Sequence, residues 1–123
     1  MIYSGGGNKD KTIKCYNSLT SAMVRTLNVD AQVTGLVFSK FNSSFVSMHG
    51  YVSNHLALWN VPNNVPFLRL KGHESRILYY AQSPDGEDIV TGAGDETIKF
   101  WKVFKPDTKK SAYSILPNSL EIR

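Results

Sequence analysis

Two stretches of this chain read as copies of one another. SGGGNKDKTIKCYN (4–17) aligns with TGAGDETIKFWK (91–102) once two extra turn residues are allowed, which sets Asp10 against Asp95, Ile13 against Ile98 and Tyr16 against Trp101. A further copy lies between them. Ser39 precedes Ser83 by 44 residues, Val46 precedes Val90 by 44, and Trp59 precedes Trp101 by 42. A repeat constrains the fold more than any composition can, because each unit must bury its apolar face against the next.

The units are made of short strands. VTGLVFS (33–39), SFVSMH (44–49), HLALWNV (55–61), PFLRLK (66–71), RILYYAQS (76–83), DIVTG (88–92) and TIKFWKV (97–103) are rich in β-branched and aromatic residues, and several alternate apolar with polar. Asn63-Asn64 and Pro84-Asp85-Gly86 supply turns between them. No segment keeps a helical apolar period, so the chain is all-β. A period of 42–44 with Trp late in the third strand falls in the range of about 40–45 residues for WD-type propeller blades.

In the best-preserved unit, RILYYAQS is the inner strand and DIVTG and TIKFWKV the middle ones. His73, Thr91, Asp95 and Trp101 can form one buried chain: carboxylate to imidazole, imidazole to hydroxyl, hydroxyl to indole N–H. The middle unit lacks this tetrad by alignment, with Val29 or Asp30 at the histidine position and Tyr51 near the aspartate position; it is expected to rely on packing alone. The strands amount to about two and a half blades, whereas a closed propeller needs about four or more. Residues 1–104 are therefore assigned to the blades. Residues 105–123, with Pro106, Pro117 and several charges, are expected to form an exposed tail, leaving the last blade without an outer strand until an N-terminal segment supplies one.

Composition narrows the partners. The chain has 123 residues with a net charge of +4, and Lys105, Lys109, Lys110 and Arg123 against Asp107 and Glu121 put half of that excess in the tail. Near-neutral blades argue against nucleic-acid binding. No apolar run suits a membrane helix, the N-terminus has no secretory core, and one cysteine, Cys15, fits a reducing compartment. No cofactor is expected. His49, His55 and Cys15 lack metal-ligand spacing, and GGGNK opens a strand without the ending of a phosphate loop. His73, Thr91 and Asp95 have the residue types of a hydrolase triad, but the indole and the missing oxyanion loop favour a structural role. The chain is read as a non-enzyme.

Beyond the repeat, AQVTGLVFS (31–39), HGY (49–51), LALW (56–59), KGHESRILYYAQSPDGEDIVTGAGDETIKFWKVF (71–104), GGGNKDKTIKCYN (5–17) and the terminal Ile122-Arg123 resemble the fizzy-type WD-repeat coactivators of the anaphase-promoting complex. The resemblance covers the whole chain and implies the C-terminal blades of a seven-bladed propeller. It implies a substrate receptor in mitotic or meiotic protein degradation, acting in nucleus and cytoplasm. The implied partners are ligase subunits, degron-bearing substrates and pseudosubstrate inhibitors. Glu96 matches the acid that reads the arginine of a destruction-box degron. Asn8, Gln32 and Arg76 match a second site that reads a Lys-Glu-Asn degron. Ile122 and Arg123 match a docking tail that enters a tetratricopeptide-repeat scaffold subunit. Tyr16, Cys15 and Asn8 depart from the usual Trp, aliphatic residue and Thr. The rival reading is a generic WD scaffold of another complex, which needs neither Glu96 nor a terminal Ile-Arg.

Overall fold

A computed structural model describes residues 1–63, 65–106 and the backbone of 121–122. It contains eleven strands and no helix among the described residues: β1 (Ile2–Gly5), β2 (Thr12–Tyr16), β3 (Met23–Asn28), β4 (Val33–Phe38), β5 (Ser44–His49), β6 (His55–Asn60), β7 (Pro66–Lys71), β8 (Ile77–Gln82), β9 (Asp88–Ala93), β10 (Ile98–Lys102) and β11 (Glu121–Ile122). They form three antiparallel sheets, ordered β1-β2-β3, β4-β5-β6-β7 and β8-β9-β10-β11. Each sheet is one repeat unit, and the first lacks an inner strand.

The turns follow from side chains at the repeat spacing. Ser83 Oγ accepts the Asp88 amide at 3.0 Å, and Asp85 accepts the Glu87 amide at 3.0 Å. Ser39, 44 residues earlier, caps its own turn by accepting the Phe41 amide at 3.1 Å. Short polar side chains of this kind close turns by mimicking backbone acceptors.

Strand alternation sends successive residues to opposite faces, and the middle sheet uses both. Phe45, Ala57 and Trp59 pack with Ile13 and Leu27 of the first sheet. Val46, Met48, Leu56, Leu58 and Leu70 pack with Ile77, Ile89 and Trp101 of the third. Tyr3, Phe38, Phe45 and Trp59 form an aromatic run with centroid separations of 5.0–5.8 Å. Burial of each large aliphatic or aromatic side chain contributes roughly 1.5–3 kcal/mol, so these two layers hold the sheets together. Two glycines permit the approach. A Cβ on Gly35 would clash with the Tyr80 ring, and one on Gly72 would sit 2.7 Å from the Trp101 ring.

The third sheet corrects one expectation. Its outer position is not empty: β11 pairs with β10, Ile98 opposite Ile122 and Lys99 opposite Glu121. A two-residue strand thus stands where the last blade was expected to have none, because an open edge of unpaired amides and carbonyls accepts a nearby extended chain.

Candidate functional site

The β9–β10 turn is built around one carboxylate. Asp95 accepts the Glu74 amide at 2.8 Å, the Thr97 amide at 3.0 Å and the Thr97 hydroxyl at 2.6 Å. His73 Nδ1 lies 3.0 Å from the same carboxylate, His73 Nε2 is 2.7 Å from the Thr91 hydroxyl, and the Trp101 indole N–H donates to that hydroxyl at 2.7 Å. An ionised carboxylate only accepts, so Nδ1 carries the proton and donates. Nε2 meets the Thr91 hydroxyl, whose oxygen accepts from Trp101. Burial alone pushes the Asp95 carboxyl up. The bonds from Thr97, the Glu74 amide and His73 outweigh it and hold the group far below the usual carboxylate range.

This network fixes the residue beside it. Glu96 has φ +63°, in the left-handed region that side chains with a Cβ enter at a cost. Lys11 and Asn54, at the corresponding place in the other two β-turns, have φ +49° and +44°. The conformation is therefore a property of the repeat, and it turns the residue after the Asp95 position out toward solvent. Glu96 is exposed and is one of the residues lining a groove of about 490 Å³ on the third sheet. Tyr79, Ala81, Val90 and Ile98 form its apolar walls, with Tyr79 76% exposed. A carboxylate at the mouth of an apolar trough suits an extended peptide carrying a guanidinium next to aliphatic side chains. The first sheet presents no such feature at Lys11, where the charge is reversed.

The second group of expected residues lies on the β1–β2, β4 and β8 side. Gln32 and Arg76 flank Gly50: a Cβ there would meet Gln32 Oε1 at 3.3 Å and Arg76 Cβ at 3.5 Å. Gly50 also donates its amide to the Gln32 carbonyl at 2.9 Å. Asn8 is exposed in the β1–β2 turn, which is tied to the start of β4 by the Val33 amide donating to the Gly6 carbonyl at 3.0 Å. Gln32 and Arg76 thus share a rim, and the turn that carries Asn8 is anchored beside it. Ile122 lies in β11, and Arg123 falls outside the described residues.

The middle sheet contains a network that sequence comparison missed. Trp59 Nε1 donates to the Ser47 hydroxyl at 2.7 Å, and that hydroxyl meets His49 Nε2 at 2.8 Å. The sheet therefore does not rely on packing alone. Its histidine comes from β5 itself and not from the loop before the inner strand, so a search at the Val29 and Asp30 position could not find it. The signal was present in the spacing: Ser47 precedes Thr91 by 44 residues. His55 stacks on His49 with ring centroids 4.6 Å apart. Burial first, then the neighbouring His55, pushes the His49 imidazole down to about 4. Burial also lowers His55. His49 Nδ1 lies beside the Ala31 backbone without completing a hydrogen bond. Among the described residues no cluster of His, Cys, Asp and Glu could hold a metal ion.

Comparison with known proteins adds to this geometry. The family model described as WD domain, G-beta repeat, matches residues 64–102. The chain is 46% identical over 112 residues to WD repeat-containing protein srw1 of Schizosaccharomyces pombe, covering 91% of this chain and 20% of that protein. It is 44% identical over 113 residues to cell division cycle 20.1, cofactor of APC complex, of Arabidopsis thaliana, covering 91% of this chain and 25% of that one. It is 41% identical over 114 residues to anaphase-promoting complex subunit cdh1 of Dictyostelium discoideum, covering 93% and 15%. Among solved structures it resembles a chain of the mitotic checkpoint complex, with TM-score 0.79 and 37% identity over 84% of this chain and 32% of that one. The chain thus spans a quarter or less of each of these three relatives.

Proposed function

The chain belongs to the fizzy-type family of WD-repeat coactivators, and from that premise we propose that the protein serves the anaphase-promoting complex as a substrate-recognition coactivator. It takes up destruction-box and Lys-Glu-Asn degrons and presents their owners for ubiquitination in the cell cycle, in nucleus and cytoplasm. The observation that carries this reading is the exposed Glu96 carboxylate, turned outward at the β9–β10 turn by a φ of +63° beside the Asp95 network. No side-chain hydrogen bond or ion pair among the described residues engages Glu96, so it is available to a guanidinium.

Gln32 and Arg76, with Asn8 nearby, form the second reading surface: the guanidinium for a glutamate, the amides for an asparagine. Ile122 and Arg123 dock the protein on a tetratricopeptide-repeat subunit of the ligase. The protein acts as an adaptor and not a catalyst. The Thr91 hydroxyl, which a triad mechanism would need as nucleophile, is 1% exposed and held by His73 and Trp101.

Peptide titration of the full-length protein tests the two surfaces separately. Glu96→Lys sets a like charge against the degron arginine, and charged hydrogen bonds are worth about 1.5–3 kcal/mol. Destruction-box affinity is expected to fall by about tenfold or more, with a larger loss at low salt, while Lys-Glu-Asn peptides bind as before. Arg76→Glu should give the opposite pattern. Equal loss of both peptides in both variants would show that these residues support the fold and do not read degrons.

A further inference from the structure

A Lys-Glu-Asn peptide brings an ammonium group that Asn8, Gln32 and Arg76 leave without a counter-charge. Arg76 suits the glutamate, and the two amides suit the asparagine. Glu74 stands two residues before Arg76 and is exposed, and no side-chain hydrogen bond or ion pair among the described residues engages its carboxylate. Its backbone is nonetheless held on both sides. The Glu74 amide donates to Asp95 at 2.8 Å, and the Glu74 carbonyl accepts from Asn54 Nδ2 at 3.0 Å. Asp30, two residues before Gln32, is already paired with Arg69 at 3.1 Å.

The turn between β5 and β6 carries a second unused group. Tyr51 is 74% exposed there. Gly50, next to it, donates its amide to the Gln32 carbonyl at 2.9 Å, and its carbonyl accepts the Ser53 and Asn54 amides at 3.1 and 3.0 Å. Asn54 then ties this turn to Glu74. An exposed phenol ring and an unpaired carboxylate thus stand on two segments joined by a hydrogen bond, next to Gln32 and Arg76.

We propose that Glu74 and Tyr51 form an ammonium site that reads the lysine of the Lys-Glu-Asn peptide. The inference rests on the degron reading of Gln32 and Arg76 given above. Glu74 and Arg76 set a negative charge near a positive one, the complement of Lys-Glu in the peptide. The carboxylate accepts from the ammonium, and the ring takes the cation on its face and the methylene stem along its edge. Both segments are tied before a peptide arrives, so binding has little left to order.

Titration of the full-length protein with three peptides tests the site: the Lys-Glu-Asn peptide, its analogue with norleucine for lysine, and a scrambled sequence. Norleucine keeps the stem and removes the charge. The parent should prefer lysine over norleucine about tenfold, the scale of one charged hydrogen bond. Glu74→Gln should bind the two peptides within about twofold of each other once that charged bond is gone. Tyr51→Leu keeps an apolar side chain and should reduce the lysine preference by about two- to fivefold, the scale of an exposed cation–π contact. Destruction-box affinity should stay unchanged in both variants. No lysine preference in the parent, or a full preference that survives Glu74→Gln or Tyr51→Leu, overturns the ammonium site. If Arg76→Glu still abolishes Lys-Glu-Asn binding in that case, the degron reading stands without it. Loss of destruction-box affinity in Glu74→Gln also overturns the site and assigns the carboxylate to the Glu96 surface. A parent that binds the scrambled peptide equally well overturns the degron reading and the lysine site together.

Discussion

The middle and third sheets solve the same problem with different histidines. In the third, His73 arrives from the loop before β8, its far nitrogen anchored on Asp95. In the middle sheet, His49 comes from β5, two residues beyond the Ser47 hydroxyl it meets, and stacks on His55. Both sheets keep the short link from hydroxyl to indole, 2.7 Å in each. The difference shows which part of the network the fold demands. A tryptophan buried between sheets must satisfy its N–H, and a hydroxyl two residues along the adjacent strand from its paired residue does so in both sheets. The imidazole that completes the hydroxyl can come from any element that reaches it. The carboxylate is needed only where the turn itself has to be fixed, as it is beside Glu96.

The comparison breaks most visibly at the two tryptophans. Trp59→Ala and Trp101→Ala each remove a ring that is 3% or less exposed, and each is expected to cost about 3–5 kcal/mol in urea unfolding. Losses below about 1 kcal/mol would mean that these rings are not held between the sheets.

Acid should separate the two histidine designs. His49 is held near 4 in the folded protein against an ordinary 6.5, so between these values the unfolded chain binds the proton and the folded one does not. Stability is intact above about pH 6.5 and falls as the pH drops toward 4. By linkage, the full loss from His49 is about 3 kcal/mol. Asp95 acts in a different window. Its carboxyl is depressed, so its contribution persists above the ordinary carboxylate pKa of about 3.9 and declines below it. His49→Gln should flatten the unfolding profile between pH 6.5 and 4, whereas Asp95→Asn should leave that slope in place. An unchanged slope in the His49 variant would refute the assignment.

The smallest effect sharpens the comparison most. Ser47→Ala and Thr91→Val each leave a buried indole N–H and an imidazole nitrogen without the shared hydroxyl, at an expected cost of about 1–3 kcal/mol. The two losses should agree within about 0.5 kcal/mol if the hydroxyl–indole link is the common element. A Thr91→Val loss far above that of Ser47→Ala would place the cooperativity in the Asp95 branch, which the middle sheet lacks. Thermal unfolding of the paired variants decides between them.

Much of this molecule was legible before any coordinates. The 42–44 spacing, the alternation within 44–49 and 97–103, and the turn residues at 83–86 are local signals, and strand formation and turn closure are local physics. The His73, Thr91, Asp95 and Trp101 set was readable because its members stand at one repeat's characteristic positions. Three things depended on tertiary structure. The Ser47, His49 and Trp59 chain escaped because alignment sought a histidine where the other copy has one, whereas a hydrogen bond asks only for reach. The outward turn of Glu96 requires the backbone conformation at the β9–β10 turn, a matter of how the Asp95 network closes and not of strand pattern. The place of Glu121 and Ile122 beside β10 was hidden behind a charged, proline-bearing stretch that reads as tail, because edge pairing is decided by which open backbone lies within range. Sequence periodicity determines the strands and their inward faces. Which faces, edges and polar groups meet is settled only when the sheets pack.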